Sequence, residues 1–293
     1  EVYLERLDAL ELHEQKTAYE KVLDIARAIK TAGGRALLVG GSVRDYFFGK
    51  IPKDFDLEVY GLSASRVEQI VRTKGKVNEV GAAFGILKLS FGHGIEVDIS
   101  LPRVDSKVSE GHKGFEVKTN PSMSITEAAR RRDFTMNSVC ADPLTGEVFD
   151  PFGGMKDIAE RRLRVTDKER FADDPLRVMR GAQFVGRFGL EVDPESMQIL
   201  QEMTPRLKEI SKERVLEEWK KLLLKSEKPS LGLSLCMAVG AIGVLHPELL
   251  AMRERAQSQA QEGVDQWMHA LMSVDEAAKI VRRESLSSEE AFI

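Results

Sequence analysis

The hydrophobic period of this chain changes once, near residue 150, and that change sets an α+β architecture. Before it, short apolar runs bounded by glycine or proline alternate with helical segments. Residues 14–32 place Ala18, Val22, Ile25, Ala26 and Ile29 at three- and four-residue steps, and Gly33-Gly34 ends that helix. Strands are expected at 35–39, 55–60, 76–80, 84–91, 95–101 and 137–143. A helix is expected at 64–73, with Ser63 as its N-cap. A mixed sheet flanked by helices follows. After residue 150 the strand signal fades. Helical spacing recurs at 173–188, 194–203, 212–225, 231–244 and 265–282, so the second half is mostly α. The polar run 253–264 reads as a linker or exposed helix.

Several function classes drop out on composition. A length of 293 residues suits two domains. The formal net charge of -4 rules out a basic nucleic-acid coat, so a polyanion needs a local basic patch. Two distant cysteines, Cys140 and Cys236, make neither a disulfide framework nor a thiolate zinc cluster. They point to a reducing, cytoplasmic setting. No run of 18 apolar residues is present to span a membrane, and the first residues lack a signal-peptide core.

The first chemical signal is LLVGGSVRDYFFGKIPKDFDLEV at 37–59. A strand runs into Gly40-Gly41-Ser42, where a helix begins. Glycines allow close backbone approach to phosphate, and free N–H groups at a helix start favour anions. Arg44, one turn on, adds a guanidinium for a triphosphate. Asp54 and Asp56 are two residues apart in a strand, so they share a face while Phe55 points to the core. Paired carboxylates can share divalent cations. Mg²⁺ takes a few carboxylates together with phosphate oxygens and water. Two such ions can activate a 3′-hydroxyl and stabilise leaving pyrophosphate. In IEVDISL, Ile95, Val97 and Ile99 alternate inward, leaving Glu96 and Asp98 on the other face. One of them can complete the metal site, and Asp98 is preferred. A solvated strand face remains the alternative for these acids.

Two further motifs follow: Arg131-Arg132-Asp133-Phe134-Thr135-Met136-Asn137, then DDPLRVMR at 173–180. In this order, with GGSVRD and DFD ahead of them, they resemble the class II tRNA nucleotidyltransferase and bacterial poly(A) polymerase family over roughly residues 36–250. The resemblance implies a polymerase-β-like nucleotidyltransferase head at 35–150. A helical neck with the nucleotide-selecting motif follows at 151–228, then a helical body at 229–293. Residues 1–34 are left as an N-terminal helical extension. The resemblance assigns the RRD motif to ribose selection and nucleotide contact, through Arg132, Asp133 and Asn137. It makes 150–164, with Gly153-Gly154, a hinge between head and neck. It also makes the polar segment 103–116 a mobile loop associated with adding the terminal A, where His112 and Lys113 could touch RNA.

On the DDPLRVMR helix, Asp174 and Arg177 lie three apart and share a face that Arg180 continues. Cytosine and adenine each show an exocyclic amino donor beside a ring-nitrogen acceptor. Asp174 can accept from the amino group, and Arg177 can donate to the ring nitrogen. Uracil and guanine present a carbonyl instead and would leave a buried charge unpaired. An i,i+3 surface ion pair is the bland alternative. Two departures from the family pattern stand out. Asp173 replaces a usual Glu, and Gln183 stands where an arginine is common. Residues 210–229 resemble the helix supporting the nucleotide site. Residues 263–279 resemble the opening of an HD-type phosphohydrolase domain without its metal-binding pair, which leaves His269 as a helix residue.

The expected activity is template-independent addition of C and/or A to a tRNA 3′ end from CTP or ATP, with pyrophosphate released. The expected cofactor is Mg²⁺ on Asp54, Asp56 and Asp98. Gly40, Gly41, Ser42, Arg44, Arg132, Asp133, Asn137, Asp174, Arg177 and Arg180 are the expected nucleotide contacts. The partners are the tRNA 3′ end, ATP and CTP, and the exposed body helices permit a homodimer. A poly(A) polymerase acting on RNA 3′ ends uses the same motifs. A non-catalytic RNA- or nucleotide-binding module on the same scaffold is the reading from another class.

Overall fold

The computed structural model describes residues 13–50, 52, 54–78, 86–92, 95–107, 115–258, 266–287 and 291. The chain divides into two compact units, residues 1–158 and 159–293. No helix among the described residues is long and apolar enough to cross a membrane.

The first unit is built on a seven-stranded sheet. In chain order come α1 (His13–Thr31), β1 (Arg35–Val39), α2 (Gly41–Phe47), β2 (Phe55–Tyr60), α3 (Ala64–Arg72), β3 (Lys76–Asn78), β4 (Ile86–Ser90) and β5 (Glu96–Ser100). After these come β6 (Arg103–Lys107), β7 (Phe115–Thr119), α4 (Ile125–Arg130), α5 (Thr135–Ser138), β8 (Cys140–Ala141), β9 (Val148–Phe149) and α6 (Gly154–Ala159). The strand order is β3-β4-β5-β2-β1-β8-β9. Only β2 and β5 pair in parallel, with Asp56 opposite Asp98; the other pairs are antiparallel.

Strand β2 shows how sequence positions the site. Its odd residues Phe55, Leu57 and Val59 are almost fully buried among Val97 and Ile99 of β5 and the apolar stripe of α1. Its even residues Asp56, Glu58 and Tyr60 therefore lie on the opposite face. Burial of each apolar side chain stabilises by about 1.5–3 kcal/mol, and a one-residue slip would exchange the two faces. The stripe of α1 (Ala18, Val22, Ile25, Ala26 and Ile29) is buried in this same core, so the helix is structurally part of the first unit.

Several expectations are met closely. Ser63 caps α3, its hydroxyl accepting from the Arg66 N–H at 3.3 Å. Others need correction. Segment 103–116 was expected as a loop, yet β6 and β7 form an antiparallel hairpin, Arg103 opposite Thr119. RVDSK and FEVKT carry too few apolar residues to show a buried face, which hides the strands in the sequence. His112 and Lys113 lie outside the described residues. The strand expected at 137–143 shrinks to Cys140–Ala141, because 135–138 form a helical turn. Gly154 serves close packing: a Cβ there would sit far inside van der Waals distance of the Thr135 carbonyl.

The second unit contains a small parallel pair, β10 (Arg162–Leu163) with β11 (Glu191–Val192), among helices. The helices are α7 (Lys168–Phe171), α8 (Arg177–Phe188), α9 (Pro194–Met203), α10 (Lys212–Lys225), α11 (Pro229–Ala238), α12 (Ala241–Leu245), α13 (Pro247–Ser258) and α14 (Gln266–Arg283). Helix α8 starts later than its periodicity suggests, since 173–176 form a turn before it. The helix expected at 231–244 is two, α11 and α12, separated at Gly240, whose φ of 83° interrupts the first. His269 is a residue of α14, as expected.

Candidate active site

The turn between β1 and α2 brings Gly40 against the first acids. Gly40 has φ 67° and ψ -129°, a conformation that side chains disfavour. A Cβ there would lie 3.5 Å from Oδ2 of Asp56. Ser42 is buried and donates its hydroxyl to the Val39 carbonyl at 3.2 Å, which ties the turn to the end of β1.

Arg44 lies beneath this turn. Its Nη2 is 3.5 Å from where a Gly41 Cβ would stand. The guanidinium is buried and held by Asp45 (Nε to Oδ1, 2.8 Å) and by the Asn137 side-chain carbonyl (2.9 Å from Nη1). Asn137 in turn donates to Oδ1 of Asp133 at 2.8 Å, and the same oxygen accepts from the Phe134 N–H at 2.8 Å. Asp133 and Asn137 are each 5% exposed. These residues of the RRD motif thus form a buried relay locking α2 to α5, and the relay fixes Arg44 under the glycine turn.

Arg132 faces the acids. Its Nη2 donates to Oε2 of Glu58 at 3.3 Å, while Oε1 of Glu58 accepts from the Tyr60 hydroxyl at 2.6 Å. Burial opposes the Arg132 charge, but Glu58, Tyr60, Asp56 and Asp133 outweigh it and keep the guanidinium protonated. Burial first, and then Glu58, drive the Tyr60 phenol far above its usual range, so it acts only as a donor.

Asp56 is the strained member of the group. Burial, then the nearby Asp98 and Asp54 charges, raise its carboxyl from 3.8 to about 6, against the lowering influence of Arg132 and Lys88. Asp54 stands one residue ahead of β2 and is exposed. Asp98 is beside Asp56 across the parallel register, and its carboxylate is engaged by Lys88 at 2.9 Å.

This acid set suits a hard dication. Asp56 feels both the Asp98 and the Asp54 charges, and burial and like charge raise its carboxyl, a cost that a cation would relieve. Among the described residues no three acid, histidine or cysteine side chains are disposed to hold an ion by themselves. Asp54 and Asp56 would be the carboxylates to offer an ion that completes its sphere with phosphate and water, as Mg²⁺ does.

In the second unit, Asp174 and Arg177 flank the start of α8. Oδ2 of Asp174 is 2.7 Å from Nη2 of Arg214 on α10, and its Oδ1 accepts from the Leu176 N–H at 3.1 Å. Arg177 donates to the Arg170 carbonyl at 2.7 Å and lies over the Phe171 ring. Arg180 lies over Phe184. Gln183 is buried and accepts from Arg187 at 3.2 Å. Sequence reasoning missed Glu58 and Lys88, and did not pair Arg214 with Asp174. The two-residue period of β2 could have found Glu58, since it continues the Asp54–Asp56 row. Arg214 carried no local signal.

The chain is similar to known proteins over both units. Residues 36–164 match the family described as Poly A polymerase head domain, and 189–252 match the probable RNA and SrmB-binding site of polymerase A. The multifunctional CCA protein of Stenotrophomonas maltophilia is 35% identical over 258 residues, covering 85% of this chain and 60% of that protein. That of Nitrosomonas europaea is 34% identical, covering 82% and 56%. The chain thus spans about 60% of the length of the curated relatives it matches. The crystal structure of the Bacillus stearothermophilus CCA-adding enzyme in complex with CTP aligns at a TM-score of 0.66 and 25% identity, covering 90% of this chain and 69% of that one. The Thermotoga maritima CCA-adding enzyme complexed with tRNA shares the fold, at a TM-score of 0.67 and 21% identity, over 96% of this chain and 68% of that one. With both domain matches in order and the motif residues gathered on β2, α2 and the RRD turn, residues 36–252 carry the head and RNA-binding regions described for poly(A) polymerases and are similar to multifunctional CCA proteins and CCA-adding enzymes.

Proposed function

We propose that this protein is a template-independent tRNA nucleotidyltransferase that adds C and A to the tRNA 3′ end from CTP and ATP. The observation that carries the reading is the start of β2, where Asp56, beside the Asp54 and Asp98 charges, stands near the Arg132 guanidinium and against the Gly40 turn. In the reaction the tRNA 3′-oxygen attacks the α-phosphorus, the bond from that phosphorus to the bridging β-oxygen breaks, and pyrophosphate leaves. The hydroxyl proton passes to solvent or to a carboxylate of the site. Bound Mg²⁺ would supply charge neutralisation and a more acidic 3′-hydroxyl.

The chain's own residues orient the reactants. Asp54 and Asp56 hold the cation, and Asp98, shared with Lys88, tunes the charge beside them. Gly40 and Gly41 admit the triphosphate to the backbone, with Arg44 as fixed positive charge below. Arg132 contacts ribose or phosphate. Asp174 and Arg177 read the amino group and ring nitrogen of the base, which both C and A present, and Arg180 continues that row. The free, buried thiols of Cys140 and Cys236 accord with a reducing cytoplasm.

The test is primer extension with Mg²⁺ on tRNA transcripts lacking CCA, ending in C or ending in CC, each with CTP, ATP or both, beside an unstructured RNA. Stepwise completion from the bare end is expected. Long A tails on unstructured RNA would make it a poly(A) polymerase. Failure to extend any RNA, with Asp54→Ala indistinguishable from the parent, would leave a binding module.

A further inference from the structure

Glu58 is an anomaly on the acidic face. It is 9% exposed, is two residues beyond Asp56, and has no place in the metal or nucleotide roles above. Both its oxygens are engaged, one by the Tyr60 hydroxyl and the other by Arg132. Tyr60 is itself buried, so the carboxylate is fixed on one side by a rigid donor. Arg132, with its side chain 30% exposed, is fixed by Glu58 on the other.

Arg132 is also close enough to Asp56 for the two charges to interact. An arginine left free at that distance would fold onto the Asp56 carboxylate, since a guanidinium matches a carboxylate with two parallel N–H bonds. That pairing would occupy the oxygens needed for a cation and withdraw Arg132 from an incoming nucleotide. A second carboxylate on the same strand face prevents it by giving one edge of Arg132 its own partner. Five N–H donors leave enough for a phosphate or ribose oxygen as well.

We infer that Glu58 is a positioning residue that holds Arg132 off Asp56, keeping the carboxylate open to a divalent cation and the guanidinium aimed at the nucleotide. This rests on the nucleotidyl-transfer reading.

The variant Glu58→Gln keeps the shape and removes the charge. Direct binding is read by Mn²⁺ titration followed by EPR, and by calorimetric titration with an α,β-methylene ATP analogue in Mg²⁺. Extension kinetics give the KM for ATP, the kcat and the Mg²⁺ requirement. Loss of a charged hydrogen-bond partner predicts about ten-fold weaker Mn²⁺ binding and an about ten-fold higher KM for ATP, with the KM for tRNA unchanged. In an Arg132→Ala background, Glu58→Gln should leave Mn²⁺ binding unchanged, because the competing guanidinium is gone. Glu58→Asp should restore part of the loss. If Glu58→Gln fails to fold, Glu58→Asp must show a smaller shift in the same direction. Unchanged Mn²⁺ and ATP affinities in an active enzyme, or equal losses with and without Arg132, overturn the inference alone. A parent protein that extends no RNA and binds no nucleotide overturns the proposed function together with it.

Discussion

Replacing Asp56 by Asn should make the metal-free protein more stable at alkaline pH while abolishing its chemistry. The carboxyl of Asp56 is raised from 3.8 to about 6, chiefly by burial and then by Asp98. A raised pKa means the folded state holds the proton more tightly than the unfolded chain does. The favourable contribution is therefore fully present below about pH 3.8, and it is lost as the pH rises through about 6. At pH 8 the charged form costs the fold about 3 kcal/mol, from 1.36 kcal/mol per pH unit over the interval between the two values. Asn has nearly the same shape and no charge, so Asp56→Asn removes that cost.

Thermal or denaturant unfolding in EDTA at pH 4, 5, 6 and 8 gives the readout. The variant should exceed the parent by up to about 3 kcal/mol at pH 8, by about half that at pH 5, and by little at pH 4. Added Mg²⁺ should stabilise the parent and leave the variant unmoved, closing the gap at pH 8. A variant no more stable than its parent at pH 8 without metal would refute the argument that Asp56 is held against its own charge. A gap independent of pH would assign the gain to packing instead.

Two further outcomes follow from the geometry. Arg214→Ala should leave stability within about 1 kcal/mol, as for an exposed ion pair, but raise the KM for both CTP and ATP by freeing the Asp174 carboxylate it now orients; unchanged nucleotide KM values would show that Arg214 does not orient Asp174 for the base. The thiols of Cys140 and Cys236 are pushed up to about 12, by burial foremost. At pH 8 neither should react with a disulfide reagent until denaturant is added, and a fast native-state reaction at either would contradict their burial.

Much of the head could be read from the chain because its strands bury one face. Phe55, Leu57, Val59, Val97 and Ile99 alternate with polar residues, so both the strands and the common face of Asp56 and Asp98 could be foreseen. The hairpin β6–β7 escaped notice because RVDSK carries a single apolar residue and FEVKT only two, too few to mark a buried face. The RRD motif was located by its residues, yet its local division of labour was not. That Asp133 and Asn137 turn inward to hold Arg44, while Arg132 alone turns to the acids, depends on contacts 93 residues apart in sequence. Arg214 meets Asp174 across 40 residues, and no local pattern encodes such a pair.

The placement of the acids on β2 also explains how so unfavourable a cluster persists. Each of Phe55, Leu57 and Val59 is at most 1% exposed, and burying one such side chain is worth about as much as charging Asp56 costs. The same strand thus carries the cost and the interactions that outweigh it, and the parallel pairing with β5 fixes the register of both. Flexible loops carrying the same carboxylates would swing them apart and escape the repulsion. A strand in a packed sheet cannot, so Asp56 and Asp98 stay side by side, with Lys88 and Arg132 only partly offsetting their repulsion. Glu58 and Arg132 fit the same logic one step along the strand: the rigid scaffold makes a second carboxylate the means of keeping a nearby guanidinium from neutralising the first.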